Sequence, residues 1–177
     1  MGILFANRAI LATCTILLIV LAGCGYRFQT EHGVRFAEPR LRFDLRSFSN
    51  NSLVPDAGAF LAARLREELR HLGFRGTFER SGADYQIEGR VREIREEVSS
   101  HGGDGFALEH RLTLLVDIRV LEVTKGRLVW KEEGLTEAAS YFSGADFQYT
   151  ESNRRMAFEE VCRRMARKIG QTIRVVL

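Results

Sequence analysis

The residues that most often carry out chemistry are sparse in this sequence. Its four histidines, His32, His71, His101 and His110, are scattered singly along the chain. Glu109 and His110 are adjacent in a predicted strand and point to opposite faces, so they cannot act together as a dyad. The motifs of serine hydrolases, zinc proteases, phosphate-binding loops and dithiol redox enzymes do not occur. These residues therefore give no support for a catalytic centre or a metal cluster, and we expect no dissociable cofactor.

Three further candidates have ordinary structural explanations. Cys162 falls within an apolar helical stripe, which predicts a small buried hydrophobe rather than a reactive thiol. His110 lies on the apolar side of a strand and is predicted to be half-buried with its hydrogen bonds satisfied. The segment Gly102–Gly105 resembles a phosphate cradle, but no helix N-terminus follows it, so a hairpin loop is the simpler interpretation.

Cys24 is the residue whose surroundings predict a covalent modification. The apolar run Ala9–Ala22 is shorter than the roughly 20 residues that a membrane-spanning helix needs. It ends in Leu21-Ala22-Gly23-Cys24, which resembles the lipobox of bacterial lipoproteins, where the cysteine thiol takes up lipid. We therefore expect residues 1–23 to be a signal peptide, and residues 24–177 to form one domain with N-acyl diacylglycerol on Cys24. A buried helix ending before the cysteine is the alternative.

The residues around this cysteine also predict a destination and a redox state. Gly25, rather than Asp, follows the cysteine, and in lipoproteins this implies sorting to the outer membrane. Three acyl chains exceed the two signals that stable membrane anchoring requires. Loss of Cys14 with the signal peptide and acylation of Cys24 leave Cys162 without a disulfide partner.

The composition excludes several classes of protein and leaves one question open. The chain has 177 residues, of which 45% are hydrophobic and only two are proline, which excludes disorder and collagen-like repeats. The net charge of +3 gives no reason to expect nucleic acid as a partner. All but three of the 26 basic residues are arginine. Either GC-rich codon usage or forked contacts to phosphate and carboxylate groups explains that bias.

Period-2 alternation of apolar and polar residues predicts the strands. The predicted strands are Leu41–Arg46, a short one at Phe74–Arg80, Tyr85–Val91, Leu108–Val120, and Arg127–Leu135 after a hairpin turn at Gly126. The alternation slips after Val91, which indicates either a bulge near Glu93 or the end of that strand. Between them, Ser99–Gly105 is predicted to be a loop and Ala138–Gln148 an irregular link.

Two helices follow from apolar residues at helical spacing. The first opens at Pro55-Asp56, carries Leu61, Leu65, Leu69 and Leu72, and ends at Gly73. The second is predicted to be capped by Thr150 or Ser152 and to bury the stripe Phe158, Val161, Cys162, Met165, Ile169, Ile173 and Val176. The element order predicts an α+β two-layer sandwich, with a small mixed or antiparallel sheet and two amphipathic helices on one face.

Arginines recur on the wet sides of the predicted strands. Four carboxylates share these sides, so cross-strand ion pairs are one interpretation. An arginine-bearing sheet that docks a phosphorylated lipid or a polar protein wall is the other. The arginines are Arg42, Arg46, Arg90, Arg92, Arg111 and Arg119, and the carboxylates are Asp44, Glu88, Glu109 and Asp117.

Together these features resemble the LptE family of LPS-assembly lipoproteins. The resemblance extends over residues 21–177. Its motifs are Cys24-Gly25-Tyr26-Arg27-Phe28 after the lipobox, Phe48-Ser49-Asn50-Asn51 at a strand end, the helix Ala57–Leu72, the strand Ala83–Gly89, Val129-Trp130 after Gly126, and the terminal helix from Ser152.

The resemblance implies a fold and a function. Members are non-enzymatic outer-membrane lipoproteins facing the periplasm, with two helices packed on one side of a small mixed sheet. Each plugs the lumen of an LptD-type β-barrel, one-to-one, and helps deliver the lipopolysaccharide that it also binds. A periplasmic interaction lipoprotein that activates a cell-wall synthesis enzyme is the alternative function.

The loops that contact lipopolysaccharide in the family are poor in basic residues here. Ser99–Gly105 offers only His101, and Ser143–Asn153 contains no Lys or Arg. The candidates for lipopolysaccharide contact are therefore His101 and the nearest arginines, Arg95, Arg111, Arg154 and Arg155.

Overall fold

The alternating segments of the sequence form a mixed sheet of five strands. The computed structural model describes residues 41–74, 82–101 and 107–177. The strands are β1 (Phe43–Leu45), β2 (Ser49–Asn50), β3 (Tyr85–His101), β4 (Ala107–Glu122) and β5 (Arg127–Phe142). β1 and β2 both run parallel to β3 along one of its edges, whereas β3, β4 and β5 form an antiparallel meander.

Two helices cover one face of this sheet. α1 (Ala57–His71) packs against α2 and the β3 end of the sheet, and α2 (Phe147–Val176) packs against β5 and β4. Apolar side chains of both layers form one core, which includes Phe43, Leu65, Val116 and Ile169, all fully buried. The α+β two-layer prediction is confirmed.

Local features predicted from single residues also occur. Gly73 follows α1 with φ of 95°, and Gly126 turns the β4–β5 hairpin with φ of 59°. Both values fall in the left-handed region that glycine adopts without steric cost. The predicted bulge is present, because the β3–β4 register shifts between Val91 and Glu93.

The end of β5 and the start of α2 differ from the prediction. Ala138–Gln148 is not irregular throughout, because β5 continues to Phe142 and α2 begins at Phe147, which leaves only residues 143–146 as the link. Alternation persists there: Ala139 and Tyr141 are buried and pair with Leu112 and His110 of β4. α2 is not capped by Thr150 or Ser152 either. Asp146 caps it, with Oδ1 accepting a hydrogen bond of 2.8 Å from the backbone N–H of Gln148.

Three further predictions need correction, and some others fall on residues that the structure does not describe. Ser99–His101 continues β3 instead of belonging to a loop, and Leu108 is 48% exposed although its parity matches the core residues of β4. Asp44, which was predicted to lie on a wet face, is buried at 6% exposure, and Arg46 binds its carboxylate. Phe74 is in no strand, while the rest of Phe74–Arg80 lies outside the described residues, as do residues 102–106 and 1–40 with Cys24.

Candidate functional site

The sheet face opposite the helices is the surface on which the predicted arginines gather. We call it the open face, because no helix among the described residues packs against it. Strand alternation assigns residues to it by their position between the buried ones. Its charged positions are Glu88, Arg90, Arg92, Glu93, Arg95 and Glu97 of β3, Glu109, Arg111, Asp117 and Arg119 of β4, and Lys131 and Glu133 of β5.

Most of the cations on this face are bound to carboxylates. Arg119 of β4 bonds to Glu88 of β3 across the strands. Arg95 Nη2 lies 2.9 Å from Glu93 Oε2 on the same strand. Lys131 Nζ lies 2.6 Å from Glu133 Oε1. Arg119–Glu88 and Arg92–Asp117 cross between strands, whereas the other two pairs lie along one strand, so the interpretation as cross-strand ion pairs is correct only in part.

Asp117 links three strands on the open face. One of its oxygens, Oδ1, accepts a hydrogen bond of 3.0 Å from the backbone N–H of Gly134 in β5. The same atom lies 3.6 Å from Arg92 Nη1 of β3. Gly134 has φ of 74° and occupies the β5 side of a register shift opposite Asp117. The carboxylate thus stabilises a glycine bulge as well as an arginine.

Two open-face arginines are left over. Arg90 and Arg111 are exposed, and within the described ranges neither takes part in an ion pair or side-chain hydrogen bond. Asp117 is the β4 neighbour of Arg90 but is occupied by Arg92 and Gly134. Glu97 is the β3 neighbour of Arg111 and instead lies 3.9 Å from Arg95. Their guanidinium donors are available to a binding partner.

A polar groove lies at the β1 end of the open face. Its volume is about 490 Å³. The charges lining it balance, four against four, so it fits an uncharged polar or zwitterionic group better than an anion. The lining side chains with charge are Arg46, Arg90, Arg119 and Lys131, with Asp44, Glu88, Asp117 and Glu133.

The predicted lipopolysaccharide contacts do not form one cluster. Arg95 and Arg111 lie on the open face, whereas Arg154 belongs to α2 on the other side of the sheet. Arg154 is held by Glu96 at 3.2 Å and Glu151 at 3.1 Å. Burial disfavours its charge, but the two carboxylates outweigh that effect and raise the pKa of Arg154.

The two remaining candidates, His101 and Arg155, are both exposed. His101 ends the described part of β3, and Arg155 lies in the third turn of α2 without a bound carboxylate among the described residues. No hydrogen bond or ion pair among the described residues joins His101 to Arg155. Among the described residues, Arg111 and Arg155 are therefore bound to no carboxylate, whereas Arg95 and Arg154 are.

Cys162 and His110 both have the surroundings that the sequence predicts. Cys162 is fully buried, and burial raises the pKa of its thiol to about 12. His110 is half-buried: its Nε2 lies 3.3 Å from Ser143 Oγ and its ring stacks on Tyr141 at 5.0 Å. Both predictions are confirmed. In residues 41–74, 82–101 and 107–177, no group of three or more His, Cys, Asp or Glu side chains is arranged to hold a metal ion.

Sequence reasoning missed two features of this surface. Asp117 looked like one of several wet-face carboxylates, but its partner is a backbone N–H of a bulge; the pattern Glu133-Gly134 in an otherwise regular strand was the available signal. Pairing of Arg154 with Glu96 joins residues 58 positions apart, and no local pattern indicates it.

Across the described ranges, no helix is both long and apolar enough to span a bilayer.

The fold is shared with solved structures of other lipoproteins. The rare lipoprotein B of Shewanella oneidensis is 16% identical with a TM-score of 0.55, over 73% of this chain and 95% of that one. A putative lipoprotein of Caulobacter crescentus is 23% identical with a TM-score of 0.51, over 73% of this chain and 88% of that one. At these identities the likeness concerns the fold alone. No curated protein matches the sequence.

A protein-family comparison gives the assignment that the fold cannot. The model of the LptE family, described as lipopolysaccharide-assembly, matches residues 42–173. That span begins just before β1 and ends in the last turn of α2. It therefore includes all five strands, the whole of α1 and nearly all of α2. The chain belongs to the LptE family of lipopolysaccharide-assembly proteins.

Proposed function

We propose that this chain is an outer-membrane lipoprotein that occupies the lumen of an LptD-type β-barrel, one-to-one, and binds lipopolysaccharide during its delivery. Membership of the lipopolysaccharide-assembly family supports the general role. The observation that carries the finer proposal is the open face, a polar and largely self-neutralised sheet surface that neither described helix covers. The protein acts as a non-catalytic plug.

The chemistry of the open face suits a polar wall. Barrel lumens of the outer membrane are lined by polar side chains. A surface of bound guanidinium–carboxylate pairs exposes many hydrogen-bonding groups without a large net field, as Arg119 with Glu88 illustrates. Arg90 and Arg111 add free forked donors that can bind carboxylates or backbone carbonyls of the wall.

Site-specific photo-crosslinking tests the plug. A photoreactive residue at Thr113, at the centre of the open face, is expected to crosslink to an outer-membrane barrel. Arg167 provides the control, because it is exposed on α2, in the helical layer on the other side of the sheet. Crosslinks from Thr113 to a cell-wall synthesis enzyme would instead support the alternative of a periplasmic activator. Barrel crosslinks from Arg167 without any from Thr113 would contradict docking through the open face.

Lipid attachment at Cys24 is part of the same proposal and is tested separately. Cys24→Ala removes the thiol that would carry the diacylglycerol, so incorporation of radioactive palmitate should disappear. Cys162→Ala is the matched control, since that thiol is buried in α2 and should not affect labelling. Palmitate label that persists in Cys24→Ala would show that the lipid is attached to a different residue.

A further inference from the structure

The two edge strands of the sheet differ in whether other parts of the fold bind their outward backbone groups. At the β5 edge, side chains of α2 bind outward carbonyls of the strand. Lys168 Nζ lies 3.2 Å from the carbonyl of Thr136, and Arg164 Nη1 lies 3.1 Å from that of Ala138. Donors from the helix thus shield this edge, and cations at an edge oppose pairing with another strand.

The opposite edge, along the second half of β3, has no such cover among the described residues. β1 and β2 accompany β3 only as far as Val91, whose carbonyl accepts the last hydrogen bond, 2.9 Å long, from Asn51 N–H. After the bulge, alternation turns the backbone groups of Ile94, Glu96 and Val98 to the same side. No described backbone or side-chain donor binds these carbonyls.

The hydrogen-bond pattern between β4 and β5 independently supports this orientation of the β3 backbone groups. Ser143 N–H donates to the carbonyl of Leu108 at 3.0 Å, so Leu108 and every second residue of β4 up to Leu114 face β5. Leu114 is the register partner of Ile94. The backbone groups of Ile94 therefore point away from β4, toward the uncovered edge.

The sequence of this edge is complementary to itself. If two copies pair antiparallel about Glu96, Ile94 lies beside Val98 of the second copy, and Arg95 lies beside Glu97. The outward groups then form about six backbone hydrogen bonds, because three hydrogen-bonded residue pairs exchange two each. Glu96 meets itself at the two-fold axis, where each carboxylate is already bound by Arg154 at 3.2 Å.

The available length also fits. In the register centred on Glu96, the described end of β3, at His101, reaches the level of Val91 of the other copy. That is where β2 leaves the edge, after Asn50. A register centred on Ile94 would require Val98 to pair with Arg90, where β2 is already bound. The centre at Glu96 therefore uses the whole free edge without displacing β2.

We infer that the β3 edge from Ile94 to Val98 is a self-association site, at which a second copy of this chain pairs antiparallel about Glu96 and continues the sheet. The pair is isologous, as a two-fold interface must be. It belongs to the chain outside a barrel, so its test does not depend on the proposed plug.

Disulfide trapping of the full chain tests this pairing. Glu96→Cys would place two thiols at the axis, where hydrogen-bonded residues of antiparallel strands have Cα atoms about 5.5 Å apart, within disulfide range. Mild oxidation of the purified protein should give a covalent dimer on non-reducing gels. Glu133→Cys, exposed on β5, is the control and should remain monomeric. Absence of the dimer for Glu96→Cys, or equal dimer for both variants, would overturn the inference.

A charge exchange supplies the second arm. In the Glu96→Cys background, Arg95→Glu places a carboxylate opposite Glu97 of the second copy and should abolish trapping. Adding Glu97→Arg restores the opposite charges and should restore the dimer. Arg90→Glu makes the same charge change beside β2 and should have no effect. Failure of the exchanged pair to recover, while circular dichroism shows a folded protein, would contradict the Glu96-centred register.

Discussion

Gly58 of α1 lies directly against the backbone of Phe48. The Phe48 N–H donates to the Gly58 carbonyl at 3.3 Å, and a Cβ built on Gly58 would lie 2.1 Å from the Phe48 carbonyl oxygen. Phe48 in turn packs its ring over Gly89, where a Cβ would come within 2.5 Å of Cδ2. Two glycines thus allow one phenylalanine to join the segment after β1, the first helix and β3.

Gly58→Ala is expected to destabilise the protein. Backbone atoms cannot rotate away, so overpacking should cost about 1–3 kcal/mol of unfolding free energy. That exceeds the roughly 1 kcal/mol that alanine gains over glycine inside a helix. Urea unfolding of the purified chain measures the change. Gly170→Ala is the control, since its Cβ would meet the flexible side chains of Glu68 and Leu72. An equal loss in both variants would show that the carbonyl contact is not the cause.

Much of the fold could be predicted from periodicity. Leu61, Leu65 and Leu69 recur on one face of α1, and all three are fully buried. Leu112 to Val120 alternate along β4, and the alternate residues are buried as expected. In both cases one face contacts the core and the other contacts water, and that contrast is what a sequence pattern records.

The errors arose where the pattern was weak or where tertiary contacts decided. The end of β5 contains Ala138-Ala139-Ser140, small residues whose burial alternates but whose types do not, so the strand became visible only through its pairing with Leu112 and Arg111. The start of α2 was misplaced by several residues because three side chains, at Asp146, Thr150 and Ser152, are all good N-caps. Local preference could not choose among them.

The thiol of Cys162 should react very slowly in the native protein. It is fully buried, and burial raises its pKa to about 12, so little thiolate forms at neutral pH. Maleimide labelling, with the modified peptide identified by mass spectrometry, is expected to be slow until urea unfolds the chain. Cys162→Ala should cost only about 1 kcal/mol, because few atoms are removed. Rapid native labelling of this peptide would contradict the burial.

The same thiol makes stability depend on pH. Because its pKa is higher in the folded than in the unfolded chain, the folded state holds the proton more strongly above the ordinary thiol pKa of about 8.5. Unfolding free energy should therefore fall between about pH 9 and 12 in the native sequence. In Cys162→Ala this part of the decline should be absent. Identical pH profiles above pH 9 would show that the thiol is not responsible.

Glu122 is expected to fasten the β4–β5 hairpin. Its side chain is bound by Lys125 Nζ at 2.7 Å and Arg127 Nη2 at 3.0 Å, and the residue is buried at 7% exposure. The hydrogen bond from Lys125, supported by Arg127, lowers the pKa of Glu122 although burial opposes the charge. Its contribution should be lost as the pH falls through that lowered pKa.

Lys125→Ala tests the Glu122 pairing. Removal of this ammonium should raise the carboxyl pKa, which carbon-detected NMR titration of Glu122 measures, and should lower Tm at neutral pH. Lys131→Ala is the control, because Lys131 binds Glu133 and not Glu122. A carboxyl pKa that is unchanged in Lys125→Ala would contradict the pairing.

The candidate site was less predictable than the fold, for a physical reason. Six arginines were assigned to wet faces by alternation, but which of them is free depends on register and bulges. Arg92 reaches Asp117 because the bulge displaces it, and this leaves its neighbour Arg90 without a carboxylate. Which arginine binds a given carboxylate depends on strand register and bulges, and the periodicity of the sequence does not indicate either.

Binding to purified lipopolysaccharide should discriminate between free and bound arginines. Arg111 has free donors, whereas Arg154 is held by Glu96 and Glu151. Arg111→Glu should therefore weaken binding, while Arg154→Glu, which brings three carboxylates together, should mainly lower Tm. Arg167→Glu makes the same charge change on the exposed side of α2 and should weaken binding least. Fluorescence titration and thermal unfolding of the same preparations measure the two effects.

Salt dependence completes the lipopolysaccharide prediction. If Arg111 contacts lipid phosphates at the surface, affinity should fall as salt rises, because exposed charges are screened over about 8 Å at physiological ionic strength. Arg111→Glu should also reduce the slope of affinity against salt, since one cation–phosphate contact is lost, and Arg167→Glu should leave it nearly unchanged. Affinity that does not vary with salt, or equal slopes in the native chain and Arg111→Glu, would show that Arg111 does not bind the phosphates.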